Sequence, residues 1–446
     1  MRELEHRFPN EITVVGVHSG KYVAERVTAR IREASIRLGN DHPIVNDRQF
    51  RVWRAYAVRA WPTLVVVDPR GYAIGSQAGE FTSEALVSVM ERMIAGYDES
   101  GFLTRAPLAF GPDASAIAPG MLRYPGKVAV DRAGERIAVA DTGHHRVLVG
   151  RLSPDGRRMS VDFAVGAEPG APSGGLVDGA AHDARFASPN GVLFADAPNE
   201  SGADGERVLY VADSGNHCVR AVSLDTGAVR TVAGTGRQLR TRRDMDAGAL
   251  SSPWDLAQVG GTLYVAMAGI HQLWAIDLAT GRTRVHSGQF GEDIKDGPHH
   301  DALLAQPMGV VADPARGRLW FVDAESSAVR WSDLDAAGGG VGTVVGTGLF
   351  DFGDVDGAGD AVRMQHQQGI ALHAPTGRLL VADSYNDALK WVDPTTRHAE
   401  TWVRGLHEPG GLAIARGGTV YVADTNAHRV AVVDGESGEV GELEIG

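Results

Sequence analysis

"LYVADSGNHCVRAV", Leu209 to Val222, decides the fold. An apolar run ends in Ala-Asp, a four-residue turn follows, and an alternating segment closes on Val-Arg-Ala-Val. That order reads as strand, tight turn, strand. The same string returns as "IAVADTGHHRVLV" (from Ile137), "LYVAMAGIHQLWAI" (Leu263), "WFVDAESSAVRW" (Trp320), "LLVADSYNDALKWV" (Leu379) and "VYVADTNAHRVAVV" (Val420). Each copy is introduced by a bend and a short apolar strand: "YPGKVAVD" (Tyr124), "SPNGVLFA" (Ser188), "SPWDLAQV" (Ser252), "QPMGVVAD" (Gln306), "QQGIALHA" (Gln367) and "EPGGLAIA" (Glu408). A fourth strand is legible as "VDFAVGA", "VRTVAGTG" and "VGTVVGTG".

Six copies between Met121 and Gly446, about 54 residues each, are the mark of a repeat architecture. The chain has 57 glycines in 446 residues, well above the roughly 7% of average proteins, and they recur at matching places. Four short antiparallel strands repeated six times predict an all-β six-bladed propeller. One blade cannot bury both faces of its sheet, so the six are expected to stack around an axis. Every blade is expected to consist of consecutive strands, with no borrowed strand to lock the ring.

The first hundred residues lack the repeat. "EITVVGV" reads as a buried strand. "KYVAERVTARIREASIRL" reads as a helix with Val23, Val27, Ile31, Ala34 and Leu38 on one face. "NDRQFRVWRAYAV" is predicted as a second helix, "TLVVVD" and "YAIGSQAGE" as strands, and "TSEALVSVMERMIAG" as a closing helix capped by Thr82 or Ser83, with Glu84 in its first turn. Alternating strands and helices indicate a small α/β domain over residues 1–99, then a linker at 100–120 and the propeller at 121–446.

Composition narrows the function classes. Hydrophobic residues make up 43% and charged residues 22%. No run approaches the 18 apolar residues of a membrane span, and the first residues lack the order of a signal peptide. The expectation is a cytoplasmic protein without a membrane partner. A net charge of −13 argues against nucleic acid; the basic "RQLRTRR" at Arg237–Arg243 is expected to be a solvated loop. The single cysteine, Cys218, excludes an internal disulfide and a Cys-rich metal site. Beside His217 it reads as structural, since adjacent strand residues point to opposite faces. No cofactor is expected.

The Asp closing each second strand is Asp141, Asp213, Asp323, Asp383 or Asp424, with Met267 in the third copy. A short carboxylate there is expected to accept backbone N–H groups two or three residues on. Four positions beyond lie His145, His217, His271, Ser327, Asp387 and His428. A ring of His and Asp can hold a transition metal, or mark a propeller face that binds a partner; duplication alone also explains it. The Asp/Gly loops "GLVDGAAHDARF" (Gly175–Phe186) and "FGDVDGAGDAVRMQH" (Phe352–His366) lack calcium-loop spacing and read as blade connectors. No Gly-x-Ser-x-Gly, phosphate-loop or His-Glu-x-x-His motif occurs.

"VVGVHSGKY" (Val14–Tyr22), "PIVND" (Pro43–Asp47) and "WPTLVVVDPRG" (Trp61–Gly71), with "PGKVAVD", "SSPWDL", "AMAGIHQLWA", "DAESSAVR", "FGDVDG" and "EPGGLAI", resemble one family. These are the NHL-repeat-containing proteins with an N-terminal thioredoxin-like domain, found in animals, plants and bacteria. The resemblance implies that Trp61, Pro62 and Thr63 form the cis-proline loop of a thioredoxin fold. In the family a Cys-containing motif opens a helix leading into the segment matching "MRELEHRF". Its start would fall within about two helical turns of Met1, on the order of ten ångströms upstream. The small domain is therefore expected to be truncated, lacking its first strand and Cys-x-x-Cys segment, and redox-inactive. By the same resemblance, the animal members' C-terminal β-rich extension is not expected here.

These readings converge on a binding or scaffold protein. Its propeller faces and central channel would engage an unknown protein or small molecule, with no catalytic residue assigned. The alternatives are a thiol–disulfide oxidoreductase, if the native chain starts upstream, and a metal-dependent lyase or hydrolase acting in the channel.

Overall fold

A computed structural model describes residues 1–40, 42–79, 83–105, 120–166, 174–195 and 207–446. It divides into two compact units, Met1–Pro119 and Gly120–Gly446.

The first unit runs helix Arg2–Arg7, strand Gly16–His18, helix Thr28–Leu38, strand Ile44–Asn46, helix Arg51–Ala55, strands Thr63–Val67 and Ala73–Ala78, and helix Ser83–Glu99. Gly16–His18 pairs parallel with Ile44–Asn46, and Thr63–Val67 antiparallel with Ala73–Ala78. Thr82 and the side chains of Ser83 and Glu84 lie outside the described residues, as do 106–119 of the expected linker.

Three sequence expectations need correction here. The buried strand read over Glu11–Val17 is only Gly16–His18, and Val15 and Val17 are exposed. The long helix from Lys21 is interrupted: Val27 is extended (φ −85°, ψ 118°) and separates a single 3-10 turn, Ala24–Arg26, from the helix. Glu25 accepts the Tyr22 N–H, and the Arg26 guanidinium donates back to Gly20 and Lys21 carbonyls, so local polar bonds hold the turn. Ile31 is buried, whereas Val23, Val27 and Leu38 are exposed. The second helix is also shorter than expected. It starts only after Phe50 takes a left-handed conformation, where the Asp47 carboxylate accepts the N–H groups of Arg51, Val52 and Trp53.

The second unit is the six-bladed propeller. Each blade is built on a four-stranded antiparallel meander, for example Pro189–Phe194, Val208–Asp213, Cys218–Ser223 and Val229–Ala233 in the second, and the short strands Gly297–Pro298 and Gly357–Ala358 add an outer fifth strand to blades four and five. Apolar clusters fill all six seams. Val211, Val149 and Phe186 pack between blades one and two. Val128, Met159, Tyr421 and Val432 close the last seam, between blades six and one.

Ring closure corrects the expectation of self-contained blades. After the last strand of blade six, Val440–Glu442, the chain crosses to blade one. There Glu444–Ile445 pairs parallel with Arg158–Met159 on the outer strand. Gly446 donates to the Met159 carbonyl at 3.0 Å and accepts from Val161 N at 2.9 Å. The terminal residues supply the fifth strand of blade one.

Candidate functional site: the turn face and the propeller axis

The repeated Asp does not cap its own turn. None of the 3-10 turns that follow it receives a side-chain cap from it. Instead its Oδ1 accepts a backbone N–H from the loop that enters the same blade: Arg123 to Asp141 (2.7 Å), Ala187 to Asp213 (2.8 Å), Ala305 to Asp323 (2.8 Å), Gln365 to Asp383 (2.7 Å) and His407 to Asp424 (2.5 Å). These donors sit on the loop side of the first strand, where an otherwise orphaned amide would be costly. The expected bond two or three residues on is therefore replaced by one that spans the first two strands of the blade.

In four of the five the other carboxylate oxygen takes a cation, and in Asp383 it accepts the Asn386 amide at 2.8 Å. Arg146 and Arg429 reach Asp141 and Asp424 from five residues on, at 2.7 and 2.9 Å. Arg220 and Arg330, seven residues on, reach Asp213 and Asp323 at 2.9 and 2.7 Å. Both arginines and both carboxylates are fully buried. Each arginine also grips the Asp of the blade-connecting loop, Asp178 at 2.6 Å and Asp296 at 2.9 Å. Lys390 does the same with Asp356 at 2.6 Å and Asp354 at 2.8 Å. Asp178, Asp296 and Asp356 in turn accept the backbone N–H of Thr231, Thr343 and Thr401. The Asp/Gly loops are thus clamps whose carboxylates are engaged by Arg and Lys. Burial raises the pKa of Asp213 to about 6 and of Asp383 to about 7.

Blade three shows what happens without the charge. Met267 replaces the Asp and Trp274 the Arg, both buried, and the indole N–H donates to Gln272 at 2.8 Å. Both charges disappear together, leaving an apolar pair of similar bulk and no uncompensated ion.

The residues of the hypothetical ring do not converge on a point. His145, His217, His271, Ser327, Asp387 and His428 all occupy the left-handed region, φ 51° to 56°, which His and Asp tolerate better than β-branched residues. From there five of the six side chains, those of His145, His217, Ser327, Asp387 and His428, accept a backbone N–H of the next blade. Nδ1 of His145 accepts Ser188 N (3.0 Å), Nδ1 of His217 accepts Ser252 N (3.0 Å), and Nδ1 of His428 accepts Tyr124 N (3.1 Å). Asp387 accepts Glu408 N at 2.9 Å. Burial lowers the pKa of His145 and His217, consistent with neutral rings. Among the described residues no group of three His, Cys, Asp or Glu is placed to hold a metal ion.

Hydroxyls one residue beyond the Asp stitch four seams. Thr142, Ser214, Ser384 and Thr425 donate to the carbonyls of Pro189 (2.6 Å), Pro253 (2.5 Å), Pro409 (2.6 Å) and Pro125 (2.9 Å). Blades three and four carry Ala268 and Ala324, which pack with Met308 in a small apolar cluster. Cys218 is fully buried, and burial raises its thiol pKa to about 11, so it is no reactive thiolate. In the first unit the Trp61–Pro62 peptide bond is cis. Trp61 packs tilted against Trp53, with ring centroids 4.5 Å apart, and donates to the Ser19 carbonyl, while the Thr63 hydroxyl donates to the Ala60 carbonyl.

The axis holds what the motif reading missed. Two residues beyond the opening Pro or Gln, the six copies carry Lys127, Gly191, Asp255, Gly309, Gly369 and Gly411. The glycines leave room: a Cβ on Gly411 would lie 2.8 Å from the Lys127 side chain, and one on Gly191 2.8 Å from Asp255 Cα. Into that room Lys127 extends from blade one and donates to Asp255 Oδ2 (3.0 Å), Met308 O (2.8 Å) and Gln368 O (2.5 Å), on blades three, four and five. The expected open channel is filled at this level by a buried ammonium. The signal lay in the alignment of the copies, where one Lys and one Asp stand among glycines.

Residues 122–149 and 406–433 match the NHL repeat model. The chain carries NHL repeats. It is 36% identical over 488 residues to NHL repeat-containing protein 2 of Gallus gallus, and 33% identical over 458 residues to Protein SUPPRESSOR OF QUENCHING 1, chloroplastic, of Arabidopsis thaliana. These alignments cover 98% and 97% of the chain but 64% and 42% of the relatives. This NHL chain thus spans less than two thirds of the length of either. Among solved structures, the propeller resembles a chain of the nidogen/laminin complex, at TM-score 0.47 and 15% identity, covering 68% of this chain and 90% of that one. Among the described residues no helix is long and apolar enough to cross a membrane.

Proposed function

We propose that this NHL protein is a binding scaffold whose partner, a protein or small molecule, docks on a propeller face. The observation that carries this reading is the use made of the repeated polar residues. The Asp, Arg, hydroxyl and His positions are engaged in holding blades and loops together, and Lys127 fills the axis. What remains open is the loop side. Phe290 and Phe350, each six residues before a clamp aspartate (Asp296, Asp356), are 52% and 69% exposed. Leu176, Val177 and Val355 on equivalent loops are exposed as well. They recur at matching places on the blade-connecting loops, where a partner that bridges blades would meet them.

The first unit supports a thioredoxin-like reading through its alternating strands and helices and its Trp61-Pro62-Thr63 loop. Cys218, the chain's single cysteine, lies in the propeller, so this unit acts as a packing or docking module without dithiol chemistry. A cytoplasmic location belongs to the same reading. Cross-linking mass spectrometry on the native protein, comparing wild type with Phe290→Asp/Phe350→Asp, tests the face. A partner cross-linked to wild type and lost from the folded variant supports the reading, and equal cross-linking refutes it. Reduction of insulin disulfides by the purified chain would refute the redox-inactive reading of the first unit.

A further inference from the structure

The three oxygens around Lys127 Nζ belong to blades three, four and five, while the lysine comes from blade one. They are held in place without it. Asp255 Oδ2 also accepts Val310 N at 3.0 Å, and Oδ1 accepts Leu256 N at 3.0 Å. Met308 and Gln368 lie at the inner ends of their own blades, where Gly309 and Gly369 bring backbones so close that an added Cβ would meet atoms at 2.9 and 2.6 Å. The lysine is an insertion into an oxygen cage built by other elements. Four of the five equivalent positions are glycine, so the layer closes around a residue without a stem.

We propose that the propeller axis is a seat for a monovalent cation of ammonium or potassium size, which this chain fills with its own Lys127 ammonium. One carboxylate and two carbonyl oxygens at 2.5–3.0 Å make a site of low charge and long contacts. Calcium takes about six to eight oxygens at about 2.3–2.6 Å. Carbonyl rings that replace a hydration shell are the environment that potassium accepts. The tethered ammonium supplies the counter-charge that the Asp255 carboxylate requires when buried, and it leaves the axis closed to a free ion.

The test is Lys127→Gly, which completes the glycine ring. Melting temperature is measured at equal ionic strength in potassium, ammonium, sodium and choline chloride. Wild type is expected to melt at the same temperature in all four. The variant is expected to gain stability saturably with potassium or ammonium over choline. Lys127→Met, whose stem fills the space, and Lys127→Gly/Asp255→Asn, which lacks the carboxylate, are both expected to show no such gain. If Lys127→Gly fails to fold in choline, its refolding in potassium or ammonium supports the seat. Equal behaviour in every salt, failure to fold in all of them, or a response to calcium alone overturns it.

Discussion

Lys127 and Asp255 form a buried ion pair at 3.0 Å across the propeller, though 128 residues separate them. Their side chains are 5% and 12% exposed. Burial lowers the lysine pKa, and the Asp255 charge opposes that shift. The pair joins blade one to blade three, and the two carbonyl contacts extend the bond to blades four and five, so one side chain ties together four of six blades.

Breaking this pair from one side is expected to be costly. Asp255→Ala leaves the Lys127 ammonium buried without its counter-charge, for a loss of roughly 3–5 kcal/mol. Urea unfolding followed by fluorescence measures it. A loss below about 1 kcal/mol would mean that Met308 and Gln368 carbonyls suffice.

Blade three supplies a template for removing a charge pair safely. Arg330→Met strands the Asp323 carboxylate, whose pKa burial already raises, and is expected to cost roughly 3–5 kcal/mol. Asp323→Met/Ala328→Gln/Arg330→Trp copies the Met267, Gln272 and Trp274 arrangement into blade four. It is expected to recover most of that loss in the same unfolding assay. A triple variant less stable than Arg330→Met would show that the two sites differ in their packing.

The closing strand can be removed alone. Deleting residues 444–446 removes the backbone bonds from Glu444 to Arg157, from Gly446 to Met159 and from Val161 to Gly446. At roughly 0.5–1.5 kcal/mol for each of the three, the expected loss is about 1.5–4.5 kcal/mol. Hydrogen exchange at the Val161 amide should accelerate most. Unchanged exchange there would place the closure elsewhere.

His286 makes stability depend on pH. It is buried against Tyr264 and His299, with centroids 4.9 and 4.7 Å away, and its Nε2 donates to the Asp333 carbonyl. Burial, with His299 nearby, lowers its pKa to about 4. A folded pKa below the unfolded value of about 6.5 means that the unfolded chain binds the proton first. The contribution is complete above pH 6.5 and lost as pH falls towards 4, about 3 kcal/mol in all. Comparing wild type with His286→Phe across pH 4–7 isolates this term. Parallel curves for the two proteins would refute it.

The six-fold string of Asp, turn and alternating strand was legible in the chain because each blade repeats the same local chemistry. Short apolar strands buried on both faces, glycines at turns and a polar residue in the left-handed position are all conditions set by neighbours in sequence. Three things were not legible. The Asp141 carboxylate bonds Arg123 N, 18 residues away, rather than its own turn, because the loop amide lies nearer in space. The helix expected from Lys21 breaks at Val27, because Glu25 and Arg26 bond the preceding backbone instead of continuing the helix. The four histidines look like a ligand set when aligned, yet Nδ1 of His145, His217 and His428 is committed to the next blade.

By itself, the sequence determined the repeat number, the strand order within a blade and the residues at each turn, because these follow from patterns a few residues long. Only the tertiary structure decided how the ring closes and what fills its axis. Glu444–Ile445 finds the edge of Arg158–Met159, and Lys127 finds Asp255, only after all six blades have curved back on themselves. Contacts of that kind depend on a shared axis, which no segment of the chain contains alone.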